Sequence, residues 1–250
     1  MISRQADISV CIPIHDPASK NKEYLREGVT SILSQTVLPK EIVFTSNHKV
    51  IYLQDILSII PKEITSLVKI APTNGASENF NNSVTAASGK YVKLLCQDDF
   101  LLDVGHFEAA VNSMEIAKHS WLTTGCQHFE EASSSFTRKI RPRYRNKLIR
   151  GVNTIGSPSV VFFKRSDFLP FSGKLEYMYD CEWYVRMFHN LGKPLIQSGS
   201  DVAIRIHKNQ STNTVSKLLE SEVLISSQMH SKKWLNLFGP CACIRDRKLQ

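Results

Sequence analysis

The sequence predicts an α/β protein: a mostly parallel, doubly wound central sheet flanked by helices, with a helical C-terminal tail. Three observations predict it. Segments with strand periodicity alternate with segments of helical periodicity through the first hundred or so residues, as expected of βαβ units. The strand candidates are short and strongly apolar, which suits burial in a parallel sheet. Composition is that of a globular chain, 42% hydrophobic and 22% charged over 250 residues, which excludes wholesale disorder and collagen-like scaffolds.

Each element follows in order. Ile8, Val10, Ile12 and Ile14 alternate with Ser9, Cys11 and Pro13, so residues 7–14 read as a buried strand with a proline near its end. Tyr24, Leu25, Gly28, Val29, Ile32 and Leu33 have helical spacing, giving a helix over 22–35. A second strand is expected over 41–45, a helix over 51–60 closed by Pro61, and a third strand over 67–70. Asn74-Gly75 signals a turn, and Phe80, Val84 and Ala87 behind it predict a helix over 77–88 capped by Gly89. Residues 91–96 form a fourth strand that runs into Gln97-Asp98-Asp99. The rhythm then loosens: a helix over 105–119, extended segments over 121–129 and 134–140, a strand over 159–163 and a polar turn over 164–167. Trp183, Tyr184, Met187, Phe188 and Leu191 predict a helix over 180–191 stopped by Gly192. An extended run over 194–206 reaches His207, and a last helix is expected over 215–229.

Composition also limits function. No apolar run approaches the roughly 20 residues of a membrane-spanning helix, and residues 8–14 are too short for a signal-peptide core, so a cytoplasmic location is expected. Six cysteines lie scattered without a C-x-x-C pair, which argues against a disulfide framework or a zinc site. Cys241-Ala-Cys243 is the one close pair, compatible with lipidation or a crosslink. The formal net charge is +8, and Arg138, Lys139, Arg141, Arg143, Arg145, Lys147 and Arg150 form a run free of acids. Such a run attracts phosphate groups or is a solvated loop. There is no P-loop, no dinucleotide fingerprint and no nucleophile elbow. A nucleic-acid binder is ranked low for want of a recognition motif.

Ligands of parallel sheets bind outside the carboxyl ends of the strands. His15-Asp16, Ser46-Asn47 and Asp98-Asp99 fall there. Two adjacent carboxylates after a buried strand call for a compensating cation such as magnesium or manganese, or else they cap a helix near 101–104. Asp180 and Glu182 open their helix, where the backbone dipole favours carboxylates; alternatively one of them is a general base. His207 follows Arg205 by two residues in the extended run.

Taken together, these residues resemble a known family. Ile8-Ser-Val-Cys-Ile-Pro-Ile14, residues 25–36 and Pro39-Lys-Glu-Ile-Val43 resemble the start of the family 2 inverting glycosyltransferases. Asn74-Gly75, Asn81 and the run from Ala87 to Asp99 look like the stretch leading into that family's DXD motif. Gly156-Ser-Pro-Ser159, then Asp180-Cys-Glu-Trp-Tyr-Val-Arg186, then Arg205-Ile-His207 with Gln210 and Thr212 resemble its later segments. The match covers roughly residues 6–214. It departs where Cys96 replaces the first DXD aspartate, where Thr45-Ser46-Asn47 stands for a base-reading Asp-Asp, where Phe80 takes the place of an arginine, and where Tyr179 replaces a glutamate.

The resemblance implies a GT-A fold, Rossmann-like, over 1–214, with a helical and basic tail over 215–250. It implies a metal-dependent inverting transferase of bacterial polysaccharide type, using Mn2+ or Mg2+. The donor would be a nucleoside-diphosphate sugar, and the acceptor a saccharide carried on a polyprenyl diphosphate. Asp180 would be the catalytic base and Asp98 and His207 the metal ligands. Pro13, His15, Ser46, Asn81, Gln97, Asp99 and Glu182 would contact substrate. Lys232, Lys233, Arg245, Arg247 and Lys248, beside Trp234, Leu235, Leu237 and Phe238, suit a peripheral contact with the inner face of the cell membrane, or a helix packed on the main domain. The alternative function is a degenerate, non-catalytic sugar-nucleotide binder.

Overall fold

The computed structural model describes residues 4–15, 22–71 and 75–238, the last eight by backbone. Its first half is the parallel unit the alternation predicts. Strand β1 (Gln5–Ile14) lies between β2 (Leu38–Ser46) and β4 (Tyr91–Leu94), and β3 (Thr65–Ile70) adds outside β2, all parallel. Helices α1 (Lys22–Leu33), α2 (Leu53–Leu57) and α3 (Gly75–Ala86) make the crossovers that parallel pairing demands. Helix α1 buries Leu25, Gly28, Val29 and Ile32, and each large apolar side chain so buried contributes roughly 1.5–3 kcal/mol. Gly28 serves a second purpose. A Cβ there would stand 2.9 Å from the Asp99 carbonyl oxygen, so only glycine lets α1 lie directly on the turn after β4.

The second half is mixed. Strand β8 (Val161–Lys164) enters antiparallel between β4 and β6 (Trp121–Glu130). Strand β9 (Leu195–Ile206) runs parallel to β6, and β7 (Ser135–Ile140) forms a hairpin with β6. A two-residue strand, β5 (Phe100–Leu101), pairs antiparallel with β9. The sheet order is β3-β2-β1-β4-β8-β6-β9-β5, with β7 on β6. Helices α4 (His106–Ala117), α5 (Tyr179–Leu191), α6 (Thr212–Val215) and α7 (Leu219–Phe238) complete the chain. Helix α5 ends at Leu191, and Gly192 follows it with φ +79° and ψ −169°, a conformation open to glycine and strained for other residues. It is anchored by Trp183, stacked on Phe171 at 4.3 Å and donating its indole N–H to the Leu169 carbonyl.

Several expectations change. The helix expected over 51–60 is a single short turn-and-a-half, Leu53–Leu57; beyond it Ser58 stays right-handed, and the Ile59 and Ile60 N–H groups close tighter i→i+3 bonds on the Ile56 and Leu57 carbonyls. Gly89 does not cap α3, which ends at Ala86. It is there because a Cβ would lie 2.7 Å from the Ser9 backbone nitrogen. Ser9, in turn, accepts the Gly89 N–H and donates to Glu41, so the buried polar cluster at this crossing is satisfied. No helix follows the Asp98-Asp99 pair at 101–104, so the pair caps nothing; α4 starts at His106. The strand expected from 159 begins at Val161, after a 3-10 turn over Pro158–Val160.

Candidate active site

The site grows from the end of β4. Residues Gln97, Asp98 and Asp99 form a tight turn, closed by the Asp99 N–H on the Cys96 carbonyl. Asp99 is buried and points into the protein. Its Oδ2 accepts from Ser159 at 2.6 Å and Ser157 at 3.0 Å, and its Oδ1 accepts the Arg205 backbone N–H at 3.1 Å. Burial, then the neighbouring Asp98 charge, push its carboxyl up to about 7. Asp99 therefore ties the 157–159 loop and β9 to the turn. Ser159 also accepts the Cys96 N–H, and its carbonyl takes the buried Lys93 ammonium. Burial holds that ammonium down to about 7.

Asp98 faces outward, with its side chain 24% exposed. Its Oδ2 lies 3.0 Å from His207 Nε2. His207 is buried behind it, and its Nδ1 has no hydrogen-bond partner among the described residues. Arg205 holds this arrangement from below. Its Nε donates to the Asp98 carbonyl, it ion-pairs with Glu27 of α1, and its guanidinium lies over the Tyr24 ring at 4.4 Å. Stacking a cation on an aromatic face and pairing it at once is the geometry that arginine, not lysine, can satisfy.

Asp180 stands at the start of α5. Its Oδ1 accepts the Cys181 N–H and its Oδ2 accepts from Asn153 Nδ2, both at 2.6 Å. Burial pushes its carboxyl up to about 6 against those hydrogen bonds. The start of α5 is itself held from α7. The buried Glu222 carboxylate accepts the backbone N–H groups of Glu176, Tyr177 and Met178 at 2.7–3.2 Å, satisfying donors that a helix entry leaves open.

A cleft of about 360 Å³ joins these parts. Asp98, Asp99 and Cys96 line one wall, Asp180 and Tyr179 another, and Arg138 stands on the lining from β7. Asp98 and Asp180 thus share one cavity, with His207 behind Asp98. The side chains of the basic run over 138–150 are exposed, and no carboxylate lies within ion-pair distance of them among the described residues. A second cavity of about 340 Å³ covers the ends of β1, β2 and β3, lined by Ile14, Thr45, Ser46, Lys49, Val50 and Ile70 among others.

The other expected residues divide. Pro13 is buried in β1 opposite Thr45. Ser46 opens into the second cavity. His15 is exposed beyond β1, and its N–H donates to Gln97 Oε1 at 2.7 Å, joining two strand ends. Two of these residues have their side chains engaged elsewhere. Asn81 lies outside the cleft lining, because both ends of its amide bind the backbone of Phe171. Glu182 lies two residues from Asp180, about 200° around the helix, so it faces away. It is fully buried against Arg186 and His230. Asp16, Asn74 and the tail residues beyond 238, with the side chains of Lys232, Lys233, Trp234, Leu235, Leu237 and Phe238, lie outside the described residues. Asn153, Ser157, Ser159 and Glu222 were not anticipated as site residues, since each acts across 27–60 residues of chain.

The glycosyl transferase family 2 model matches residues 9–172. The chain belongs to glycosyl transferase family 2. The match includes Asp98 and Asp99 and ends before Asp180 and His207. No curated protein matches in a sequence search. Among solved structures, S. aureus TarS residues 1–349 in complex with UDP-GlcNAc superposes with a TM-score of 0.67 at 13% identity, covering 88% of this chain and 66% of that one. The longer S. aureus TarS structure gives 0.62 at 14%, covering 92% and 43%. This family 2 chain therefore has the GT-A fold, and it spans less than two thirds of the length of these two neighbours.

Proposed function

We propose that this family 2 chain is an inverting glycosyltransferase that moves a sugar from a nucleoside-diphosphate donor to a hydroxyl of a saccharide acceptor. The observation that carries the reading is Asp180: a carboxylate lifted to about 6, held by two donors and open to the cleft that Asp98 lines. A group with that pKa is ionised at neutral pH yet basic enough to take a proton as the acceptor oxygen attacks, and such catalysis contributes about 10²–10⁴-fold. Attack from the face opposite the leaving diphosphate inverts the anomeric carbon.

The donor set fits a hard divalent cation. Asp98 Oδ2 and His207 Nε2, now 3.0 Å apart in a hydrogen bond, are the two groups that would turn to hold it, an oxygen and an imidazole nitrogen. Cys96 completes a cluster with Asp98 and Asp99, but burial raises its thiol so far that it stays neutral, and it suits Mn2+ or Mg2+ poorly. Bound by Asp98 and His207, a cation would offset negative charge on the departing diphosphate. Arg205 keeps both ligands in place, and Asp99 holds the turn that presents Asp98.

TarS in its complex holds UDP-GlcNAc, which makes that sugar nucleotide the first donor to test. The unpaired cations over 138–150, of which Arg138 lines the cleft, support an anionic acceptor, of which a polyprenyl-diphosphate-linked saccharide is one. No described helix is long and apolar enough to cross a membrane; the basic tail over 231–250 would supply the contact with such a carrier. With a donor identified by melting-temperature shifts across UDP-, GDP- and dTDP-sugars with manganese, Asp180→Asn is expected to lower kcat about 10²–10⁴-fold while donor affinity is unchanged. Wild-type turnover in that variant removes Asp180 as the base. A donor that binds with no metal-dependent turnover in the parent chain supports the degenerate-binder alternative, which Cys96 and Ser46-Asn47 favour.

A further inference from the structure

We propose that Asn153 is the positioning residue of the base: its side-chain N–H, given to Asp180 Oδ2, aims the carboxylate into the cleft and favours its ionised form. The inference rests on the reading of Asp180 as the base. The orientation of the amide follows from its other contacts. Asn153 Oδ1 accepts the backbone N–H groups of Ile155 and Gly156, each at 2.9 Å, so that end is the acceptor and the NH₂ must face Asp180. The same NH₂ reaches the Gly156 carbonyl at 2.8 Å. Tyr184, one turn beyond Asp180, donates to that carbonyl at 2.9 Å. Residues 153–156 are thus fastened to one face of α5 at two points, i and i+4. Gly156 has φ +132°, and a Cβ there would meet Val160 at 3.0 Å and Cys126 at 3.1 Å, so the loop has little room to shift. With Cys181 N–H on the other oxygen, the carboxylate is fixed by one donor per oxygen.

The groups facing Asp180 limit what else can titrate with it. Cys96, Tyr179, Cys181 and Tyr184 are all raised by burial and neutral near pH 6. Asp98 and Asp99 lie across the cleft, and His128, Arg138 and Glu176 lie on its lining. Asp99 changes charge near 7, so the readout must come from Asp180 itself.

Asn153→Asp keeps an acceptor for the Ile155 and Gly156 N–H groups and replaces the donor on Asp180 with a like charge. Asn153→Ser, whose hydroxyl can still serve the loop but is too short to replace the amide at Asp180, is the second variant. In protein labelled with ¹³C at aspartate carboxyls, the Asp180 resonance is assigned by its loss in Asp180→Asn. Its midpoint is expected near 6 in the parent chain, higher by about one unit or more in Asn153→Asp, and higher by less in Asn153→Ser. In turnover, the acid limb of kcat moves up with the midpoint while KM for the donor holds. An unmoved midpoint in either folded variant overturns the proposal. If Asp180→Asn keeps full turnover, the base reading has failed; if it is inactive and the midpoint stays, only the role of Asn153 has failed.

Discussion

Burial raises Asp180 and Asp99 alike, to about 6 and about 7, but their surroundings give them different work. Asp99 meets three protein donors and serves as a tie; Asp180 meets two and keeps a face toward the cleft. Both shifts carry a stability cost with a definite sign. A carboxyl whose folded pKa exceeds its unfolded value near 3.8 stabilises the fold only while protonated in it. That contribution is complete below the unfolded value and is lost as pH rises through the folded one. Folding stability supplied by Asp180 is therefore expected to fall between about pH 4 and pH 6. Asp180→Asn lacks this dependence, so its melting temperature should decline less than the parent's over that interval. Parallel melting curves across the interval would contradict the upward shift. Lys93 has no such exposure to solvent: its ammonium is sealed under Ser159, which makes it part of the floor of the site and not of its chemistry.

At the scale of elements, α5 and α7 act together. Helix α5 carries the proposed base, and α7 holds the residues before it through Glu222 and grips its far side through His230 on Glu182. Glu222→Ala would leave three consecutive backbone N–H groups without their acceptor. With about 1–3 kcal/mol per unsatisfied buried donor and partial relaxation, a loss of roughly 2–4 kcal/mol is expected. In a chain of this length that lowers the melting temperature by about 5–12 °C, which calorimetry would read directly. A shift under one degree would mean that Glu222 does not hold the entry of α5. The division placed at residue 214 from sequence separates these contacts from the domain they support, so a chain ended there loses both Glu222 and His230.

These same elements show what a sequence exposes and what it hides. The parallel half was legible because β1, β2 and β4 are apolar runs between helices with clean periodicity, and because the loop after β4 announces itself with two carboxylates. Strand β5 was not, since two residues carry no period. Asp180 and Glu182 read alike in sequence, both acids at a helix start, and only packing decides which of them lines the cleft. Asn81 looked like a ligand contact and spends its amide on Phe171, a partner 90 residues away. Asn153 and Glu222 are ordinary polar residues in sequence whose importance exists only once distant segments meet.

Over the whole molecule, charge is unevenly placed. The run over 138–150 gathers exposed cations, Arg138 among them on the cleft lining, and the tail beyond 230 adds more in sequence. Cationic clusters of this kind bind anionic surfaces in a salt-dependent way. Vesicles containing phosphatidylserine are expected to sediment the full chain at low ionic strength and to release it as salt rises. Deleting residues 231–250 should weaken that binding, and equal sedimentation with neutral vesicles would exclude the membrane contact.

The outer strand β3 pairs with β2 on one side, and Leu67, Val68 and Ile70 are exposed along it. Sticky, unpaired ribbon borders invite self-association into fibrous aggregates. Lys69, set between Val68 and Ile70, is the kind of gatekeeper charge that makes such stacking costly, so Lys69→Val is expected to raise light scattering of concentrated protein, and unchanged scattering would mean that this border does not associate.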